Sequence, residues 1–213
     1  MKIETISVTG FEGAIMGIRL PMCKNLDEVK GKSDSGYVFD SLTEEYKFVI
    51  GEEDKKLAKK LIKADEKESS GQPNSKFLRM IHVQVCVTAP LFWWKEADTY
   101  KVGTTANSTS TMHTITKYPI TKDCFEEPDL VWTNTINTLE ETRQRYLRTK
   151  DKEDWKELIE NLPESWLQTR MFDLNYETLR NIYQWRCLHK LSQWQQFCDW
   201  IKTLPYAFEF ICS

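Results

Sequence analysis

The segment Arg79–Thr88, RMIHVQVCVT, constrains the fold more than any other. Ile81, Val83, Val85 and Val87 fall on one face, and Met80, His82, Gln84 and Cys86 on the other. Side chains of a strand alternate with a period of two, so this run describes a sheet with one face against a core. It ends at Ala89–Pro90. A half-buried sheet needs a covering layer, and the other long patterns of the chain are helical. Asn134–Thr149, Asp151–Leu162, Asn175–His189 and about Ser192 to Leu204 read as helices, with Pro163 stopping the second. The expected fold class is therefore α/β (α+β): a single domain over 1–213, with a small antiparallel or mixed sheet flanked by helices and a largely helical C-terminal half.

Elsewhere the patterning is thinner. Lys2–Thr9 alternates, with Ile3, Ile6 and Val8 broadly on one side, and predicts a short strand ending at Gly10. Gly10, Gly13, Gly17, Pro21 and the run Gly31–Gly36 then predict a loop-rich stretch without long elements, and the glycines match no phosphate loop. From Glu53 to Glu68, Leu57, Ala58, Leu61 and Ile62 keep helical spacing amid Lys and Glu, ending in the stop signal SSGQP.

Composition narrows the class of function. The chain has 213 residues, the upper end for one domain, and basic and acidic residues number 29 and 32, interspersed, for a net charge of −3. No field draws in a nucleic acid backbone, so a DNA or RNA polymer is not an expected partner. Six cysteines lie scattered without a C-x-x-C pair or histidines at zinc spacing, which predicts free thiols and no metal site. The N-terminus MKIETISVTGFEG lacks the apolar run of a signal peptide, and no stretch nears the roughly 20 apolar residues of a membrane span. A cytoplasmic location away from membranes is expected. Eight Trp exceed ordinary usage, and some of these rings are expected to line a site or an interface.

Two segments carry candidate chemistry. Gly103–Thr111 is rich in short hydroxyl and amide side chains, which favour loops and caps over regular helix. With Lys101 just upstream, Thr104, Thr105, Asn107, Ser108 and Ser110 offer convergent neutral donors plus one charge, a combination suited to phosphate. The alternative is a surface loop that caps the next helix. On the helix read over Asn175–His189, a turn of 100° per residue puts Asn175, Leu179, Ile182, Arg186 and His189 on one stripe. Arg186 on an apolar face needs a partner: either an internal carboxylate or an anionic or carbonyl-bearing ligand. No Ser-His or Cys-His spacing marks a nucleophile.

With these residues in view, the chain resembles the flavin-dependent thymidylate synthase family. VTAPLF at Val87–Phe92 is similar to the family's strand-to-helix junction. YKVGTTANSTSTMH at Tyr100–His113 occupies the place of its Arg-His-Arg, seven residues, Ser signature, keeping the spacing, Asn107 and Ser110 but not the arginines. Leu162–Pro163, LNYETLRNIYQWR at Leu174–Arg186 and SQWQ at Ser192–Gln195 resemble the C-terminal blocks.

The resemblance implies a homotetramer with sites between subunits, FAD reduced by NADPH, and transfer of a one-carbon unit from methylenetetrahydrofolate to C5 of dUMP. It implies catalytic roles for Arg186, at the pyrimidine carbonyls, and for Ser110, at the nucleotide phosphate or beside the pyrimidine. Thr104, Thr105 and Ser108 would join them in binding the pyrimidine nucleotide, and Lys101, Asn107, Asn175, Asn181 and His189 would hold the flavin. Four expected cations are replaced: Tyr100, Val102, Met112 and Glu177 stand where the family has arginines. Charge-assisted contacts are worth about 1.5–3 kcal/mol each, so FAD and dUMP binding requires substitutes, for which Lys95, Lys117, Arg170 and Arg180 are available. The leading reading is a divergent nucleotide-modifying homologue. The second is a catalytically inactive or repurposed ligand-binding homologue on the same scaffold, and the third an unrelated enzyme using Cys or His.

Overall fold

The computed structural model describes residues 1–67 and 74–212. Glu68 and the predicted stop SSGQP lie outside the described residues. Strand β1 is Lys2–Thr9, followed by helices α1 (Phe11–Arg19) and α2 (Leu26–Lys32), the hairpin strands β2 (Gly36–Asp40) and β3 (Glu45–Val49), and α3 (Glu52–Lys67). A 3-10 turn at Lys76–Met80 leads into β4 (His82–Pro90), then α4 (Leu91–Ala97), β5 (Thr104–Ser108) and α5 (Thr111–Thr114). Helices α6 (Thr133–Thr149) and α7 (Lys152–Glu160) precede β6 (Leu167–Asn175), and α8 (Tyr176–Arg186), α9 (Ser192–Ile201) and α10 (Ala207–Phe210) complete the chain. One sheet has the order β1-β4-β6-β5, and β2 pairs antiparallel with β3 in another. Among the described residues, no helix is long and apolar enough to cross a membrane.

The mixed helix and sheet class is as the sequence predicts, and β4 buries Val83, Val85 and Val87 completely while His82 and Gln84 face outward. The loop expected after Gly10 is instead helix α1. Gly13 and Gly17 stand one turn apart on a face against Met80: a Cβ on them would lie 3.4 Å from its Cε and 3.6 Å from its Sδ. These glycines admit a neighbour rather than break a helix. Gly10 does act as a turn, at φ +95°, and its hydrogen atoms sit where a Cβ would meet the Met80 carbonyl oxygen at 1.9 Å. The Gly103–Thr111 loop is likewise corrected, since Thr104–Ser108 forms a sheet-edge strand. The C-terminal half also contains β6, and the helix expected to reach His189 ends at Arg186.

The chain divides into two compact units. The first comprises Met1–Glu4, Val85–Lys101 and Thr105–Phe172, and the second Thr5–Gln84, Val102–Thr104 and Asp173–Ser213. In the first, α6 and α7 pack around Ile115, Ile120, Phe125, Ile136, Leu139 and Leu158. In the second, α8 packs on α9, burying Leu179, Ile182, Trp194 and Phe197. Its N-terminal part is held by Asp54, fully buried at the start of α3, which accepts the Ser33 and Ser35 hydroxyls at 2.6 Å and pairs with Arg19. A buried carboxylate so surrounded is satisfied rather than stranded. The six cysteines are free thiols, Cys198 buried and the rest half-buried.

Candidate functional site

In the second unit the candidate residues other than Asn181 gather at the two ends of α8. At its start Asn175 is the N-cap, 5% exposed, its Oδ1 accepting the Thr178 N–H at 2.9 Å. Thr178 Oγ1 donates to the Val102 carbonyl at 2.8 Å, tying the helix start to the turn before β5. That turn needs glycine: Gly103 has φ +69°, and a Cβ there would fall 2.1 Å from Asn175 Nδ2. Asn175 is thus accounted for by local structure. Thr104 follows as a half-buried residue of β5.

At the far end, Arg186 is half-buried with its guanidinium carbon 4.9 Å from the Trp194 ring centroid. The stripe of Leu179 and Ile182 is buried as its periodicity predicts, and Arg186 stacks on an aromatic face at its margin. His189 lies beyond the helix, with its ring 6.4 Å from Trp194 in edge geometry. Its Nδ1 accepts the Leu191 N–H at 3.2 Å, which places the proton of the neutral ring on Nε2. Asn181 is exposed on α8.

In the first unit Ser110 is the N-cap of α5, and its Oγ lies 2.7 Å from His113 Nδ1 and 3.4 Å from the His113 N–H. Thr105, Asn107 and Ser108 are exposed on β5, and the next residue, Thr109, donates its N–H to the Thr169 carbonyl at 2.8 Å. Lys101 is exposed and has no ion-pair partner among the described residues. Trp93 and Trp94 are core residues, 0% and 1% exposed.

The cations available to replace the missing arginines are mostly engaged. Lys95 pairs with Glu164, and Arg170 pairs with Asp98 at 2.7 Å and stacks 4.2 Å over Trp94. Arg180 is 8% exposed and donates to the Ile211 carbonyl. Lys117 remains exposed without an ion-pair partner among the described residues. Glu177 is bound by Arg79 at 2.6 Å, so a cation does stand at that position, supplied from another segment. Nearby His82 Nδ1 meets Asp173 Oδ1 at 2.9 Å. Sequence reasoning missed both pairs, because their members lie more than 90 residues apart and neither forms a local motif. Among the described residues no group of His, Cys, Asp and Glu is arranged to hold a metal.

The architecture is that of the flavin-dependent thymidylate synthases. The flavin-dependent thymidylate synthase ThyX from Helicobacter pylori, solved with FAD and dUMP, aligns over 99% of this chain and 98% of its own at a TM-score of 0.68 and 16% identity. A second structure of that enzyme with the same two ligands covers 99% and 97% at the same score. The UMP/dUMP methylase PolB from Streptomyces cacaoi, bound with 5-Br dUMP, covers 99% and 94% at 0.60 and 12% identity. No protein-family model and no curated protein matches the sequence. At these identities the shared property is the fold.

A dinucleotide flavin brings two phosphates and a large ring system, and the residues present fit it poorly. Asn175 is occupied as a cap, and Tyr100 and Val102, which stand where the resemblance sets flavin-gripping arginines, are uncharged, Val102 being 79% exposed. A single phosphate and a base ask for less: one or two lysines, hydroxyls and one guanidinium.

Proposed function

We propose that this chain binds a pyrimidine nucleotide of the dUMP type, with Arg186 reading the base. What carries the reading is Arg186 itself: a half-buried guanidinium laid on Trp194 at the end of α8, in a fold shared end to end with nucleotide-bound proteins. Its planar fork of donors matches the O2, N3 and O4 edge of a pyrimidine and would stabilise negative charge developing there. Stacking on the indole restricts the side chain before the ligand arrives, which lowers the entropy lost on binding. Ser110, Thr104, Thr105 and Ser108 supply hydroxyls to the nucleotide, and Lys101 its counter-charge.

The family reaction, one-carbon transfer to pyrimidine C5 using FAD, NADPH and methylenetetrahydrofolate in a cytoplasmic homotetramer, is the fuller form of this proposal. In it Lys101, Asn107, Asn175, Asn181 and His189 face the flavin. A second reading, a nucleotide-binding homologue without flavin chemistry, is favoured by the uncharged Tyr100 and Val102 and by the capping role of Asn175.

Calorimetry with dUMP tests the proposal. Arg186→Ala is expected to weaken binding at least about tenfold, or about 1.4 kcal/mol; unchanged affinity would remove Arg186 from the site. Visible absorption separates the two readings. Protein that stays colourless after incubation with excess FAD, with no thermal shift, leaves only the second.

A further inference from the structure

The second unit carries a cleft of about 710 Å³ that none of the candidate nucleotide residues lines. Two edge-to-face ring pairs form much of its wall: Phe11 with Tyr206, centroids 5.4 Å apart, and Tyr37 with Phe48, 5.5 Å apart. The first pair joins the start of α1 to the turn before α10, and the second belongs to the β2–β3 hairpin. A volume of this size suits a small organic molecule, and such sites are mostly apolar with a few placed polar groups.

Two ionic residues line the cleft, and their states differ. Lys47 is neutralised by Asp40 at 2.6 Å. Glu12 accepts the Tyr37 hydroxyl at 2.7 Å and has no cation partner among the described residues. The lining therefore combines aromatic rings with one carboxylate that no cation neutralises among the described residues. Aromatic faces carry the negative end of the ring quadrupole, so both features attract a cation and repel an anion. Tyr206 already takes one: Lys55 Nζ lies 5.8 Å from its ring centroid.

We propose that this cleft binds an organic cation, an alkylated ammonium group on a small apolar body. A quaternary ammonium has no N–H donors to leave unsatisfied among rings, and its diffuse charge is weakly hydrated, so a ring-lined cleft with one carboxylate is its natural receptor. A neutral molecule of the same shape would fill the cleft and leave Glu12 uncompensated.

Benzyltrimethylammonium is the probe, with neopentylbenzene as its neutral isostere and benzylsulfonate as the anionic counterpart. Titration of the whole protein, followed by calorimetry and by proton resonances of Tyr37 and Tyr206, is expected to show saturable binding of the cation alone. Both analogues should bind at least about tenfold more weakly. Glu12→Gln and Phe48→Leu should each weaken the cation by a similar factor. The analogue series uses wild-type protein, so it decides the matter even if a variant misfolds. No saturable binding, equal binding of the neutral isostere, or unchanged affinity in folded Glu12→Gln would overturn the proposal. It would also fall if the cation left the tyrosine resonances unmoved while Phe48→Asp lowered the mass seen by light scattering, since the cleft would then be a contact between copies.

Discussion

Asn175 closes the first turn of α8 by accepting the Thr178 N–H while almost wholly buried. Removing that acceptor strands a donor away from water, so Asn175→Ala should lower stability by about 0.5–2 kcal/mol in urea unfolding. Asn175→Asp, which keeps the acceptor, should recover most of it. Full stability of the alanine variant would refute the capping role. Glu140 offers a test by pH. Both its oxygens face the Arg143 guanidinium at 2.7 Å, and one also accepts the Ile120 N–H. The Arg143 hydrogen bonds, against the desolvation of partial burial, hold its carboxyl well below the usual range, at about 2. A depressed pKa stabilises the folded state above the unfolded value of about 4.3 and ceases to do so as pH falls through about 2. The wild type should therefore lose stability more steeply between about pH 5 and pH 2 than Glu140→Gln, which lacks the titrating group. Parallel melting curves for the two across that window would count against the pair.

Helix α1 supplies a matched pair of substitutions at the scale of one element. At Gly10 an added Cβ would meet backbone, the Met80 carbonyl at 1.9 Å, in a left-handed conformation, so Gly10→Ala should destabilise by more than about 1 kcal/mol. At Gly17 it would meet only the flexible Met80 thioether at 3.6 Å, so Gly17→Ala should stabilise by up to about 1 kcal/mol through helix propensity. Thermal unfolding reads both signs, and the same sign for each would refute the packing account. This helix was illegible in sequence because glycine marks a turn and a close approach with the same letter. β4 was legible because its buried face is wholly aliphatic. β6 was not: half of it has no fully buried side chain, and Arg170 hides its charge by stacking on Trp94. The β2–β3 hairpin exposes Tyr37, Phe39 and Tyr46, so no period separates an inner from an outer face. Of the candidate site, the capping role of the Ser110 loop and the stripe from Asn175 through Arg186 could be read from local spacing, although its last member, His189, lies beyond the helix. The Arg79–Glu177 pair could not, since it joins segments 98 residues apart.

For the molecule as a whole, the exposed apolar residues bear on assembly. Trp185 and Leu188, 75% and 93% exposed, lie on either side of Arg186 in sequence, and neighbouring exposed apolar residues are where a contact between copies would form. On the proposed inter-subunit arrangement, light scattering should report an assembly, and Trp185→Glu with Leu188→Glu should reduce its mass; a monomeric wild type would refute that arrangement. The order of the larger sheet has a further consequence, for the growing chain. β6 is made after β1, β4 and β5, yet it lies between β4 and β5. Until residue 175 has been synthesised, β5 has no neighbour to pair with, and an unpaired strand is a hazard while a chain is still being made. Threonine, asparagine and serine side chains let water serve that strand in the interval. The same polarity on which the proposed nucleotide contacts of Thr104–Ser108 rest also lets the segment wait for its partner in solution.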